Sequence, residues 1–379
     1  MGWIFVLSMY AGCGLVLAAF LGLRAVGRAM ARRIVARQPR PLTRIHASTP
    51  TTVTLEADRR TLHRGHFGLW FGDDHHALVG EVRAHDPQAA TVTREILHTS
   101  GDVSTAAAGY WTGHLHPGPT SLRRPFRDVM IDVPDGTAPA WLIEPAHPTR
   151  RDTWAIHIHG WNTTRITALR SVHATDALGM TSLVVSFRGD GEGPEVSGGL
   201  STLGLCESAD VDAAIAYALR RGATSVVLVG WSMGGAIALL LAESSPYRAF
   251  IERLVLIGPV TDWRAVVHNG ARERGLPAWT AKLAIEILAD PLESARLGLC
   301  HPVDFGRLDW SRPGRLAVPA LVIHSEGDRT VPLASSVLFA MANPDRVRLA
   351  ELSPAEHGWE YNVDPAAFNR AIIEFIEPG

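Results

Sequence analysis

The stretch Ser225–Ala242, "SVVLVGWSMGGAIALLLA", constrains the fold more than any other part of the chain. It runs apolar, turns sharply, and runs apolar again. An uninterrupted apolar strand needs cover on both faces, as in a parallel sheet sandwiched between helices. The second run, long enough for a helix, has no polar stripe either, so that helix must be buried too. At the turn between them stands a hydroxyl, Ser232, in the pentapeptide "GWSMG".

The rest of the C-terminal two-thirds follows the same grammar. Apolar runs such as "TWAIHIHG", "TSLVVSF", "RLVLIG" and "PALVIHS" alternate with helical patterns such as "ESADVDAAIAYALRRG" and the closing "PAAFNRAIIEFIE". Alternation of this kind predicts an α/β fold, a mostly parallel sheet flanked by helices, over residues 125–379. Residues 262–318 interrupt the rhythm with a largely helical insertion that would cap the sheet, with Trp263, Trp279 and Leu283 walling a pocket. Residues 45–124 differ. Short β-branched and aromatic runs separated by Gly, Asp and Pro predict a small β-rich N-terminal region.

Ligands of open α/β sheets bind at the carboxyl ends of the strands, and three polar stretches fall there. In G-x-S-x-G after a strand and before a helix, the glycines let the backbone pass close to itself and present the Ser232 hydroxyl at the helix head. A serine becomes a nucleophile only when a base takes its proton, and the base needs a partner to fix its tautomer. Downstream, "HSEGDRTVP" offers Asp328 and "AEHGWEYN" offers His357, each after a strand. Asp262 in "GPVTDW" and, more weakly, Glu326 compete with Asp328 for the acid. His157 and His159 read as structural, and Asp190 and Glu192 in "FRGDGEGP" as turn formers.

On "HGW", "FRGDGEGP", "GWSMGG", "EGDRTVP" and "EHG" in this order, the chain resembles the α/β-hydrolase family of serine hydrolases, esterase- or lipase-like with some prolyl-oligopeptidase-like features. The resemblance implies the α/β-hydrolase fold, Ser232 as nucleophile, His357 as general base and Asp328 orienting the histidine. It further implies an oxyanion hole from the backbone amides of Met233 and Trp161, with Asn162 as a possible side-chain donor. The expected activity is cleavage of small-molecule or lipid carboxylic esters through an acyl-enzyme, without metal or organic cofactor. A serine aminopeptidase or oligopeptidase, or a thioesterase or lysophospholipase, uses the same three residues. A non-catalytic binding module on this fold usually lacks one of them.

Composition excludes other classes. The formal net charge of -2 offers no footprint for nucleic acid. Cys13, Cys206 and Cys300 are too few and scattered for a disulfide framework or zinc site. In "HRGHFGLWFGDDHH", His63, His66, Asp73, Asp74, His75 and His76 match no ligand spacing on a helix, and adjacent strand residues point to opposite faces. The N-terminus makes its own demand. Residues 1–23 carry no charged side chain over a length that fits the roughly 20 residues needed to span a bilayer. Arg24, Arg28, Arg32, Arg33, Arg37, Arg40 and Arg44 follow without an acid among them. This predicts a single-pass transmembrane anchor over 1–23, a basic juxtamembrane linker over 24–44 and, by the positive-inside rule, a cytoplasmic catalytic domain.

Overall fold

Six strands of the N-terminal third pair antiparallel into a closed barrel: β1 (Thr43–Ser48), β2 (Thr52–Glu56), β3 (Phe67–Phe71), β4 (His75–Asp86), β5 (Thr91–Thr99) and β6 (Ala108–Thr112). Their order around the barrel is β1-β2-β5-β4-β3-β6. Alternate residues fill the interior, among them Val53, Leu55, Phe67, Leu69, Val79, Val92 and Trp111. Arg94 is buried with them. Its guanidinium donates to the carbonyls of Gly80, Thr61, His63 and Gly65 at 2.7–2.8 Å. Burial lowers its pKa to about 10, and the four acceptors replace the water it has lost.

The computed structural model describes residue 18 and residues 21–377, and beyond the barrel the chain builds an eight-stranded sheet. Its strands are β7 (Phe126–Val133), β8 (Gly136–Ile143), β9 (Arg150–Ile158), β10 (Met180–Val185), β11 (Ser225–Trp231), β12 (Ile251–Ile257), β13 (Ala320–His324) and β14 (Val347–Glu351). The order is β14-β13-β12-β11-β9-β10-β8-β7, with β8 antiparallel to both neighbours and the other pairs parallel. Alternation splits the core across the sheet. Ile156, Ile158, Leu228 and Leu254 face helices α3 (Glu207–Arg220) and α4 (Met233–Ser244). Ala155, Val227, Val229 and Val255 face α2 (Leu169–Ala177) and the last helix, Pro365–Ile376. Between β12 and β13 stand α5 (Trp263–Glu273), α6 (Ala278–Ala289) and α7 (Pro291–Leu297); after β13 come α8 (Leu333–Ala342), α9 (Glu360–Val363) and α10, the last helix. Chain order departs from β9 to β10 on one side and to β11 on the other, so a crevice opens at the carboxyl ends of β9 and β11.

The N-terminal expectation is corrected. The anchor placed over 1–23 lies almost wholly outside the described residues, and among those described no helix is long and apolar enough to cross a membrane. Of the segment expected to be a basic linker, 24–44, residues 24–35 instead belong to a helix over residues 21–35, α1, packed onto the insertion between β12 and β13. Ala31 and Val35 are fully buried in the main core. Arg28 donates to both carboxylate oxygens of Glu293 at 2.7 and 3.0 Å. The physical reason is the stripe Gly27, Ala31, Val35, whose small residues let α1 approach α6 closely. A Cβ on Gly27 would stand 2.6 Å from side-chain carbons of Leu283 and Ile287.

Gly27→Leu is therefore expected to destabilise the fold by about 1–3 kcal/mol through overpacking. Gly22→Leu, whose Cβ meets nothing within 4 Å, is the control. Urea unfolding of both variants checks this; equal midpoints would mean that α1 is not docked there.

Candidate active site

The serine turn forms because its glycines permit it. A Cβ at Gly230 would lie 2.4 Å from the Gly234 carbonyl oxygen, and one at Gly234 would lie 2.3 Å from that of Ile158. Ser232 itself is held at φ 55°, ψ -115°, a conformation that costs a non-glycine residue about 1–3 kcal/mol. The surrounding hydrogen bonds hold it there: its amide donates to Ile257 O at 2.8 Å, and its carbonyl accepts from Gly235 and Val260. Its Oγ thus stands at the head of α4, where the first amides lack helical acceptors and favour negative charge.

Two further loops reach the same point. His357 Nε2 lies 2.8 Å from Ser232 Oγ, and His357 Nδ1 lies 2.5 Å from Asp328 Oδ2. Asp328 Oδ1 accepts from the amides of Thr330 and Val331, both at 2.8 Å. Its Oδ2 also meets His324 Nε2 at 3.1 Å, while His324 Nδ1 meets Ser336 Oγ at 2.8 Å. His324 Nε2 also faces the Val331 carbonyl, so with two acceptors beside it this nitrogen carries the proton and Ser336 donates to the other. Burial alone would raise the Asp328 carboxyl, but the His357 charge and the two imidazole bonds hold it well below the usual range. For His357 burial pulls downward, and the charge and hydrogen bond of Asp328, with the charge of Glu360, outweigh it; the net shift is upward.

The third loop follows β9. Gly160 sits so near Ser232 that a Cβ there would lie 3.1 Å from the serine Cβ. Among the described residues neither the Trp161 amide nor that of Met233, the first residue of α4, has a backbone acceptor. Asn162, expected as a possible donor to substrate, is engaged elsewhere: it accepts from the Gln38 amide at 3.0 Å and donates to the Gln38 carbonyl at 3.3 Å. His159 is fully buried, bridges Gly160 O and Asp190 Oδ2 at 2.8 and 2.9 Å, and stacks on Phe187. Asp190 closes its own turn by accepting from Glu192 and Gly193, both at 2.8 Å, so it braces this loop as well as forming the turn. His157 is a buried strand residue, its pKa lowered to about 3 by burial.

A cavity of about 570 Å³ opens from Ser232 and His357. Met30 and Ile34 of α1 line it together with Trp161, Val260, Trp263, Val266 and Val267. Of the three insertion residues expected to wall it, only Trp263 does so; Trp279 is exposed and Leu283 packs against α1. The competing acids lie elsewhere. Asp262 caps α5 by accepting from the Arg264 amide at 2.8 Å, and Glu326 is exposed.

Two residues beside the site escaped the sequence reading. His324 ends the strand four residues before Asp328, as the sequence predicts, but its bond to that carboxylate depends on how the following loop folds back. Glu360 is 1 % exposed, and neither of its carboxylate oxygens has a hydrogen-bond partner among the described residues. Burial, with the Asp328 charge, pushes its pKa up to about 7. No local pattern distinguishes it from an ordinary first-turn acid.

Comparisons agree with this architecture. The model of the "Alpha/beta hydrolase family" matches residues 155–371, and a "Domain of unknown function (DUF8805)" matches residues 44–112, the barrel strands. No curated protein matches the sequence. Among solved structures, an esterase of Pyrococcus furiosus is 19% identical, with 68% of this chain and 93% of that chain covered at a TM-score of 0.52. An alpha-beta serine hydrolase homologue from Coxiella burnetii is 16% identical, with 66% and 97% covered at a TM-score of 0.45. At 19% identity the likeness to the esterase is one of fold.

The charges around His357 set its titration. Its imidazole is expected to titrate above its ordinary value of 6.5, because Asp328 and Glu360 favour the cation. Removing either negative charge, by Asp328→Asn or Glu360→Gln, should lower the midpoint. Histidine NMR titration measures this; an unchanged midpoint in Glu360→Gln would mean that this carboxylate does not act on the ring.

Proposed function

This chain belongs to the alpha/beta hydrolase family, and we propose that it is a serine hydrolase that cleaves carboxylic esters through an acyl-enzyme on Ser232. The observation that carries this reading is the continuous hydrogen-bonded line from Ser232 Oγ through His357 to Asp328. His357 Nε2 takes the hydroxyl proton as Oγ attacks the ester carbonyl carbon. Asp328 holds Nδ1–H and stabilises the imidazolium. The carbonyl oxygen becomes an oxyanion that accepts from the amides of Met233 and Trp161. As the tetrahedral intermediate collapses, the C–O bond to the alcohol breaks and the leaving oxygen takes the proton from Nε2. Water then repeats the sequence on the acyl-enzyme and releases the acid.

The pocket favours esters over peptides with a free amino terminus. Its walls nearest the serine are apolar, suited to an acyl chain, and its two glutamates are engaged. Glu273 pairs with Arg329 and Glu356 with Arg59, which leaves no unpaired carboxylate among the described lining residues to hold an ammonium group. A thioester fits the same apolar walls and is cleaved by the same steps.

A fluorophosphonate probe should label the purified protein, and Ser232→Ala should abolish labelling and ester turnover. Asp328→Asn should lower kcat by about 10³–10⁴-fold, because the imidazole loses its tautomer and its counter-charge. Labelling and p-nitrophenyl ester assays read both outcomes. Undiminished labelling of Ser232→Ala would remove the nucleophile from this scheme.

A further inference from the structure

The mouth of the cavity is cationic, although the chain as a whole carries a formal net charge of -2. Arg33, Arg59, Arg274 and Arg329 line it against Glu273 and Glu356. The two glutamates neutralise Arg329 and Arg59. Among the described residues no carboxylate lies within ion-pair distance of Arg33 or Arg274. Among the described residues the Arg274 guanidinium donates to Gly270 O, a carbonyl of its own helix, at 2.7 Å. These two arginines come from separate elements, Arg33 from α1 and Arg274 from the end of α5. Each of those elements also supplies apolar wall to the same cavity, Ile34 beside the first and Val267 about two helical turns before the second. A neutral ester would use the walls and leave both guanidinium groups facing water. A substrate with an apolar middle and an anionic far end would use walls and rim together.

We propose that the cavity selects esters bearing an anionic group, a carboxylate or phosphate, at the end remote from the scissile bond, and that Arg33 and Arg274 recognise it. This rests on the reading of Ser232 as the nucleophile. Each guanidinium presents a fork of donors suited to a planar or tetrahedral oxyanion. Both are solvent-exposed, so the preference is modest and salt-dependent.

The test compares matched p-nitrophenyl esters of equal chain length, one acyl chain ending in a methyl group and the other in a carboxylate. A phenyl ester with the carboxylate on the leaving group instead reports which side of the ester faces the rim. At low salt kcat/KM should favour one of the anionic esters by about ten-fold, and the preference should fall as salt rises. In the Arg33→Gln, Arg274→Gln double variant the ratio of anionic to neutral ester should fall to near one. Because the ratio is taken on one preparation, loss of folded enzyme cancels. A wild-type ratio near one, or a ratio retained by the double variant, would overturn the proposal while neutral-ester turnover dependent on Ser232 left the serine reading standing. No turnover of any ester, together with no fluorophosphonate labelling, would instead overturn the serine reading.

Discussion

The arrangement depends on holding one imidazole still. Ser232 and Asp328 follow the ends of β11 and β13, but His357 rides on a loop with no hydrogen-bond ladder of its own. Three bodies clamp that loop. From the sheet, Ser325 Oγ accepts from the Ala355 amide at 2.7 Å and donates to Ser353 O. From α2, Arg170 lies buried over the Trp231 ring and donates to Gly358 O and to Asn362 Oδ1, both at 2.5 Å. From the barrel, Phe67 packs on Trp359 at 4.5 Å, Arg59 pairs with Glu356, and the His66 and Gly113 carbonyls accept from Asn362 Nδ2. Burial lowers the Arg170 pKa to about 10, a desolvation cost that only fully paired geometry offsets. The barrel is thus a wall behind the histidine loop as well as a separate core.

Much of this was legible because some signals are local. A strand, a glycine-flanked turn and a helix follow one another in eighteen letters around Ser232, and each is dictated by near neighbours. The serine, acid and histidine order with a strand before each also lies in the sequence, so the residues the structure brings together could be named. The bracing could not. Asn362 touches His66 and Gly113 across most of the chain's length, and no periodicity predicts which carbonyl an amide will meet. Barrel closure is similar. The strands show in the alternation, but β2 pairing with β5 rather than β3 is a choice of register between distant segments.

The N-terminal error has a physical source. Arginines four apart, at 24, 28 and 32, specify a helix with one cationic edge, not what its other face packs against. Lipid and a protein groove reward the same apolar face. The discriminating letters were Gly27 and Ala31 on the face carrying Val35, small residues that serve close helix–helix contact. The consequence reaches the site, since the chain leaving α1 runs past the loop after β9 and bonds Asn162 through the Gln38 backbone in both directions. A segment expected outside the hydrolase body becomes one wall of its cavity and one support of the Trp161 loop.

Charge in the site is then divided by sign and depth. Behind the imidazole lie Asp328 and Glu360, negative or able to become so, in a dry interior where each stabilises the imidazolium formed as the proposed attack proceeds. In front lie the amides at the head of α4 and after β9, which have no backbone acceptor among the described residues and which the proposed scheme sets against the oxyanion. Farther out stand the arginines of the mouth. Moving a proton from Ser232 to His357 creates a cation beside the negative interior and an anion beside the positive exterior. The fixed charges therefore favour the charge-separated state over the neutral one without having to reorient. That preorganisation explains why a carboxylate as poorly solvated as Glu360 is compatible with the fold: in its ionised form it costs stability, and it returns part of that cost when the imidazole next to Asp328 becomes charged.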